Sequence, residues 1–332
     1  MSVDSPILVL GAGSWGTALA LVLARNKHSI WLWSHEQAHV TQMRTERQNS
    51  QFLPDYPFPD QIEIIDDVSK VGETQRILVV VPSHAFHTTL SRIKPYFQPD
   101  THLCWATKGF EYDTGLLLHE VAYNVLGQQA FSVLSGPSFA TEVAKQLPTA
   151  VTIASDKTEH AQFWVNAFHD PYFRPYLSRD LIGVQIGGAV KNVMAIAAGI
   201  ADGLGFGANT RAALITRGLA EMLRLGMAMG GQAETFMGLA GMGDLVLTCT
   251  DNQSRNRRFG VALAQGQKTH EQILAEIGQV VEGIHAAREV SQLARKYQVE
   301  MPIVDHVQQV LTQQMTPKQA VQSLLSREVK TE

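Results

Sequence analysis

The chain has 332 residues, of which 45% are hydrophobic and 17% charged, with 27 basic against 31 acidic side chains and a formal net charge of −4. That length suits two domains better than one, because a single core stops growing near roughly 250–300 residues. The mildly acidic balance argues against nucleic acid or an anionic membrane surface as partner, while a local basic site for a small anion stays open.

The start, MSVDSPILVLG, has no basic stretch ahead of its apolar run, so no signal peptide is expected. Pro6-Ile7-Leu8-Val9-Leu10 reads as a short parallel strand buried on both faces. It enters Gly11-Ala12-Gly13-Ser14-Trp15-Gly16, then a helical stretch, TALALVLARN, and a second strand over residues 28–33. Strand, glycine turn, helix and strand within about thirty residues is the context that gives G-x-G-x-x-G its meaning. Gly11 permits the tight turn, Gly13 lets backbone approach a pyrophosphate, and Gly16 lets the helix pack close to the strand. The helix N-terminus then faces the anion, so a Rossmann-type dinucleotide-binding domain is expected.

The end of the second strand separates the two nicotinamide dinucleotides. A carboxylate there binds the adenosine ribose hydroxyls and repels a 2′-phosphate. Here the strand ends in Trp33-Ser34-His35, with Glu36 one position late and Arg44 and Arg47 further on. Ser34 and His35 can donate to a 2′-phosphate, so NADP(H) is the preferred expectation, with NAD(H) kept open by Glu36. His35-Glu36-Gln37-Ala38-His39 also fits H-E-x-x-H, the zinc-protease pattern. Ser34-x-x-Gln37 as a capping box explains the same residues better in this nucleotide context, and no metal is expected.

Further strands are predicted over 76–81, 102–107, 131–135 and 150–154. Ligands of open parallel sheets sit beyond the carboxyl ends of the strands. Lys108 and the Gly136-Pro137-Ser138-Phe139-Ala140 turn both follow such ends and belong on the ligand side, although Lys108 taken alone reads by default as a solvated loop lysine. Cys104 and Cys249 lie far apart without metal-like spacing, which suits a reducing cytoplasm and predicts no disulfide.

Near Ser178-Arg179-Asp180 the strand runs stop and helical periodicity takes over. The expected organisation is therefore a mainly parallel α/β domain over residues 1–179 and an all-α domain over 180–332. Helices are predicted in AALITRGLAEMLRLGMAMG, FGVALAQGQ, HEQILAEIG, IHAAREVSQLARKY and AVQSLLSRE. Asp180 is placed to cap a long helix in which Lys191 is the only charged residue between Leu181 and Ile200. That stretch is long enough to span a bilayer, but Lys191, Asn192, Gln185 and its glycines argue for a buried core helix. A buried ammonium is expensive unless paired, solvated or used, and a lysine so placed suits proton transfer; snorkelling from a half-exposed helix is the bland alternative. Gly187 and Gly188 lie one turn before it, leaving room either for a ligand or for close helix packing. Asp244 sits in the glycine-rich run Gly238–Leu245, as a cap or as a site residue. Ser254-Arg255-Asn256-Arg257-Arg258 groups a hydroxyl, an amide and guanidiniums, a set that suits a phosphate or carboxylate but is also an ordinary solvated turn.

Together these residues resemble the bacterial NAD(P)-dependent sn-glycerol-3-phosphate dehydrogenases along the whole chain. The stretch Gly188–Gly199, GAVKNVMAIAAG, follows that family's signature around its catalytic lysine, and GAGSWG, TKGF, SGPSFA, GLAGMGDL, SRNRRFG and VVEG occur in the family's order. The resemblance implies that Lys191 is the proton donor and acceptor. It implies that Lys108, Gly136, Ser138, Lys191, Asp244, Ser254, Arg255 and Asn256 bind the substrate. It assigns Gly11, Gly13, Ser14, Trp15, Gly16, His35, Lys108, Ala140, Arg255, Val280 and Glu282 to the cofactor. It also implies a cytoplasmic homodimer that reduces dihydroxyacetone phosphate to sn-glycerol 3-phosphate for phospholipid synthesis.

Two other readings compete. A sugar-nucleotide or 3-hydroxyacid dehydrogenase shares the glycine turn; the sugar-nucleotide enzymes need a cysteine nucleophile, for which Cys249 is the candidate. A non-catalytic nucleotide sensor would make Lys191 purely structural.

Overall fold

The structure is a computed structural model that describes residues 5–112 and 114–326. The chain divides into two compact units, Met1–Glu111 with Leu116–Val184, and Tyr112–Gly115 with Gln185–Glu332.

The first unit is built on an eight-stranded sheet. Its strands are β1 (Ile7–Leu10), β2 (Ile30–Trp33), β5 (Ile62–Ile65), β6 (Arg76–Val79), β7 (His102–Trp105), β8 (Ser132–Ser135), β9 (Thr149–Ser155) and β10 (Phe173–Ser178); β3 (Gln48–Asn49) and β4 (Leu53–Pro57) form a separate hairpin. The order is β10-β9-β8-β7-β6-β1-β2-β5. Neighbours are parallel except for β8 and β9, which run antiparallel. All four residues of β1 are fully buried, as a strand covered on both faces requires. β1 lies between β2 and β6, so the turn that leaves it sits where strand order reverses.

The expected strands of this unit are present, and the sequence reading lacks β5, the β3–β4 hairpin and β10. β10 carries Pro175 and lies at the sheet edge, where a missing N–H costs no ladder bond. The helix after β2 begins at Gln37 with Glu36 as its N-cap, so the expected capping box does not form. The Ser34 hydroxyl instead turns inward, 3.2 Å from Nδ1 of His39. His39 is buried with Nε2 against Asn49 at 3.0 Å, whereas the His35 side chain is 69% exposed, so the two histidines of H-E-x-x-H diverge.

The second unit is helical. Its main elements are Leu181–Gly203 (which starts in the first unit), Ala208–Ala228, Asp244–Thr250, Arg255–Gln265, His270–Ile277, Glu282–Lys296, Pro302–Leu311 and Pro317–Leu325. Pro302–Leu311 went unforeseen; its proline occupies the first helical position, where no N–H is needed. The expected last helix runs on into Arg327 and Glu328, which lie outside the described residues. Leu181–Gly203 is long and apolar enough to cross a membrane, but 94% of its most apolar stretch is buried inside the protein. Its N-terminus is capped as expected, Gly183 N–H donating to Oδ1 of Asp180 at 2.7 Å.

Candidate active site

Polar side chains gather in two places, one in each unit. In the first unit the glycine turn follows β1. Gly11 has φ +116°, and a Cβ there would lie 2.7 Å from the carbonyl oxygen of Val80. A Cβ on Gly16 would collide with the Gly11 carbonyl, so the third glycine is fixed by turn packing on helix. A Cβ on Gly13 would meet nothing within 4 Å. The turn is thus closed against its own fold at Gly11 and Gly16 and open at Gly13, which is the shape a pyrophosphate needs. Ser14 starts the helix Ser14–Arg25, and its hydroxyl donates to the Phe52 carbonyl at 2.7 Å. Trp15 packs on the core of the unit, its indole Nε1 buried without a partner among the described residues.

Beyond β7 and β8, Lys108 Nζ and Ser138 Oγ both donate to the Gly136 carbonyl, at 3.2 and 3.0 Å. Gly136 has φ +141°, with a would-be Cβ 3.0 Å from Val151 Cα, so the tight turn that brings these groups together requires glycine. Ala140 opens the short helix that follows. Lys108 is therefore tied into the strand-end cluster rather than waving in a loop.

The cluster in the helical unit centres on Lys191, which is 7% exposed. Its Nζ donates to Oδ1 of Asp244 at 2.5 Å and to Oγ1 of Thr248 at 2.9 Å. Asp244 is 1% exposed, so the ion pair is buried, and removing either partner would leave the other charge unpaired out of water. Thr248 in turn donates to the Asp244 carbonyl at 2.6 Å. A widened helical turn, Leu239–Gly243, precedes Asp244, closed by Gly243 N–H to the Gly238 carbonyl at 3.1 Å. Gly241 and Gly187 have no room for side chains: a Cβ on the first would strike Phe236 backbone, and on the second the Ala240 carbonyl. The Gly187 position thus serves close packing of this turn, which sets Asp244 against the lysine.

Beside Lys191, Asn192 Oδ1 accepts from the Asn256 amide at 3.0 Å, and Asn256 Oδ1 accepts from Gly283 N–H at 2.8 Å. This ties the lysine helix, the arginine-rich helix and the start of Glu282–Lys296 together. Ser254 caps Arg255–Gln265 by accepting from Arg257 N–H at 3.2 Å. Arg255 Nη1 donates to Gln279 Oε1 at 3.2 Å; burial pulls its pKa down, and the Glu282 carboxylate opposes that. Arg257 behaves differently from its neighbour. It pairs with Asp202 at 2.6 Å and serves structure. A cavity of about 1030 Å³ in the same unit, lined by residues such as Leu214, Met227, Val307 and Leu324, includes none of the cluster's polar groups. Cys249 is 1% exposed and burial pushes its thiol up to about 12, so it cannot act as the nucleophile a sugar-nucleotide dehydrogenase requires.

The sequence reading missed Thr248, Asn192 and Gln279 as cluster members. Thr248 lies four positions after Asp244 on one helix, and that spacing was the available signal.

A glycine turn at the switch point of a parallel sheet, followed by a helical unit with a buried lysine–aspartate pair, defines a two-part nucleotide-dependent oxidoreductase. The N-terminal family described as NAD-dependent glycerol-3-phosphate dehydrogenase N-terminus matches residues 6–161, and its C-terminal counterpart matches residues 180–322. A protein of Aeromonas salmonicida named glycerol-3-phosphate dehydrogenase [NAD(P)+] is 54% identical, with all of both chains covered. One of the same name from Methylococcus capsulatus is 53% identical over 98% of each. The crystal structure of glycerol-3-phosphate dehydrogenase from Coxiella burnetii superposes with a TM-score of 0.95 at 50% identity, covering 98% of this chain and 99% of that one. The chain belongs to the NAD-dependent glycerol-3-phosphate dehydrogenase family.

Proposed function

We propose that this protein interconverts dihydroxyacetone phosphate and sn-glycerol 3-phosphate with NADP(H), and also with NAD(H), and that Lys191 is its proton donor and acceptor. The observation that carries the reading is the buried Lys191 ammonium held at 2.5 Å by Asp244. The glycine turn fits a dinucleotide, because it is open at Gly13 while Gly11 and Gly16 are closed against the fold. Gly11, Gly13, Gly16 and the N–H groups of Ser14 and Trp15 would hold its phosphates, with His35, Lys108, Ala140, Arg255, Val280 and Glu282 as its further contacts. When bound, the reduced nicotinamide supplies the hydride. Residues 1–179 are assigned to the nucleotide and 180–332 to substrate and catalysis.

The chain's own part is charge and proton control. As the ketone carbon is reduced, its oxygen gains negative charge, and Lys191 stabilises that charge and gives up a proton to it. Asp244 and Thr248 fix the amine's direction, so little reorganisation is needed at the moment of transfer. In the reverse direction the neutral amine takes the proton back. Arg255, Ser254 and Asn256 at the head of one helix are assigned to the substrate phosphate, where a two-pronged guanidinium and helix N–H groups suit a dianion. Lys108, Gly136 and Ser138 complete the substrate contacts. A homodimer in the cytoplasm, feeding phospholipid synthesis, is the setting we infer from the family.

Steady-state rates with dihydroxyacetone phosphate and each reduced cofactor test the reading directly. Lys191→Ala should lower kcat by roughly a thousandfold, the joint scale of general acid and charge stabilisation, while nucleotide affinity stays within about threefold. Turnover retained in that variant would overturn the role of Lys191. Nucleotide binding without reduction of any ketone would favour a sensor instead.

A further inference from the structure

The groups at the carboxyl end of β2 are mostly spoken for. Ser34 is 7% exposed, and its hydroxyl sits 3.2 Å from His39 Nδ1 and accepts from Glu36 N–H at 3.4 Å. Arg44 donates to the Ile64 carbonyl and pairs with Asp66 at 3.1 Å. Arg47 donates to the carbonyls of Ile62, Phe58 and Pro59. Both arginines are engaged within the fold, and Ser34, expected to donate to a phosphate, is turned inward. His35 and Glu36 are 69% and 54% exposed, with His35 Nε2 3.6 Å from Glu36 Oε1. Glu36 is the N-cap residue of Gln37–Glu46, yet its side chain makes no cap hydrogen bond. Its carboxylate is thus uncommitted apart from the neighbouring imidazole.

We propose that Glu36 is the specificity-determining residue that sets the balance between NAD(H) and NADP(H). The inference rests on the oxidoreductase reading above and names its cofactor selectivity. A carboxylate at the end of the second strand accepts hydrogen bonds from the adenosine ribose hydroxyls and repels a 2′-phosphate. His35 is the opposing element, an exposed imidazole beside Glu36 able to donate to that phosphate. Because the acid and the donor are adjacent, selectivity is a contest between them rather than the outcome of a dedicated arginine pocket. Both side chains lie in water, so the repulsion is partly screened and its removal is worth about tenfold in affinity.

The test is direct titration of the full-length protein with NADPH and with NADH, in the absence of substrate, by tryptophan fluorescence. Calorimetry with AMP carrying or lacking a 2′-phosphate isolates the adenosine end. Glu36→Gln should tighten NADPH and the 2′-phosphorylated fragment by about tenfold and weaken NADH by about threefold. Glu36→Lys should move the ratio further the same way. His35→Ala should weaken NADPH about tenfold and leave NADH within about twofold. An unchanged NADPH-to-NADH ratio in both Glu36 variants overturns the proposal while leaving the oxidoreductase reading intact. Failure of the unaltered protein to bind either dinucleotide defeats that reading, and this one with it.

Discussion

At the glycine turn the important property is what the backbone leaves empty; at the lysine cluster it is what side chains bring together. Gly11, Gly13 and Gly16 fall within six residues, and their constraints come from β1, the turn and the neighbouring Val80. Lys191, Asp244 and Thr248 are separated by 53 and 57 positions, and only the packed helices bring them within 2.5 and 2.9 Å. The first kind of site is written locally, whereas the second exists only in the folded unit. Stability and function should therefore be separable at the turn and inseparable in the cluster.

Asp244→Asn offers the largest expected effect. It leaves a buried ammonium facing a neutral amide, and breaking a buried pair in this way costs roughly 3–5 kcal/mol. The lysine also loses the group that aims it, so kcat should fall by about two orders of magnitude or more. Thermal melts and turnover should drop together. A variant with native melting and impaired kcat would show that the pair is catalytic without being structural, and would break the contrast between the two sites.

Gly13→Ala should behave in the opposite way. Its φ of −74° and ψ of −178° are open to any residue, and the new Cβ would meet no atom of the fold within 4 Å. The melting temperature should stay within about three degrees, since only a weak N-cap preference changes. Affinity for either dinucleotide should fall by roughly tenfold or more, because the methyl group occupies the space left for pyrophosphate. Unchanged affinity would mean that the open face at Gly13 is not where the phosphates lie.

The same contrast explains what was legible beforehand. The β1–turn–helix–β2 unit could be read directly because its strands, glycine turn and helix follow one another within about thirty residues, even though Gly11 is also closed by distant Val80. Ser34 misled, since its spacing to Gln37 fits a capping box while its hydroxyl has a better use against buried His39. β5 is Ile62–Ile65, an apolar run broken by Glu63, and β10 is interrupted by Pro175. In the helical unit, Lys191 stood out as an isolated charge, but Thr248 did not, because a threonine on a helix face is unremarkable until its partner is known.

The two units also differ in how protons act on them. In the first, His102 and His160 lie with ring centroids 4.5 Å apart, and each has a buried Nδ1 without a partner among the described residues. Burial lowers the pKa of both, helped by the other imidazole and Arg76 at His102 and by Lys157 at His160; burial and Arg76 lower His28 as well. Such groups bind protons more tightly when unfolded, so their contribution is intact above about pH 6.5 and is lost as pH falls below it. Glu221 in the helical unit works in reverse. It is 1% exposed, accepts from the N–H groups of Ile303 and Val304 at 2.8 and 3.3 Å, and burial raises its pKa from 4.5 to about 7. A carboxyl whose folded pKa is raised favours the folded state below its unfolded value and loses that advantage as pH climbs through the folded one. From pH 4.5 to about 7 the helical unit should therefore lose up to roughly 3 kcal/mol from this group alone. Calorimetric melts of Glu221→Gln across that range should lose the alkaline decline, and melts of His102→Phe should lose part of the acidic one. If both variants follow the unaltered protein's pH profile, neither unit owes its proton dependence to these groups.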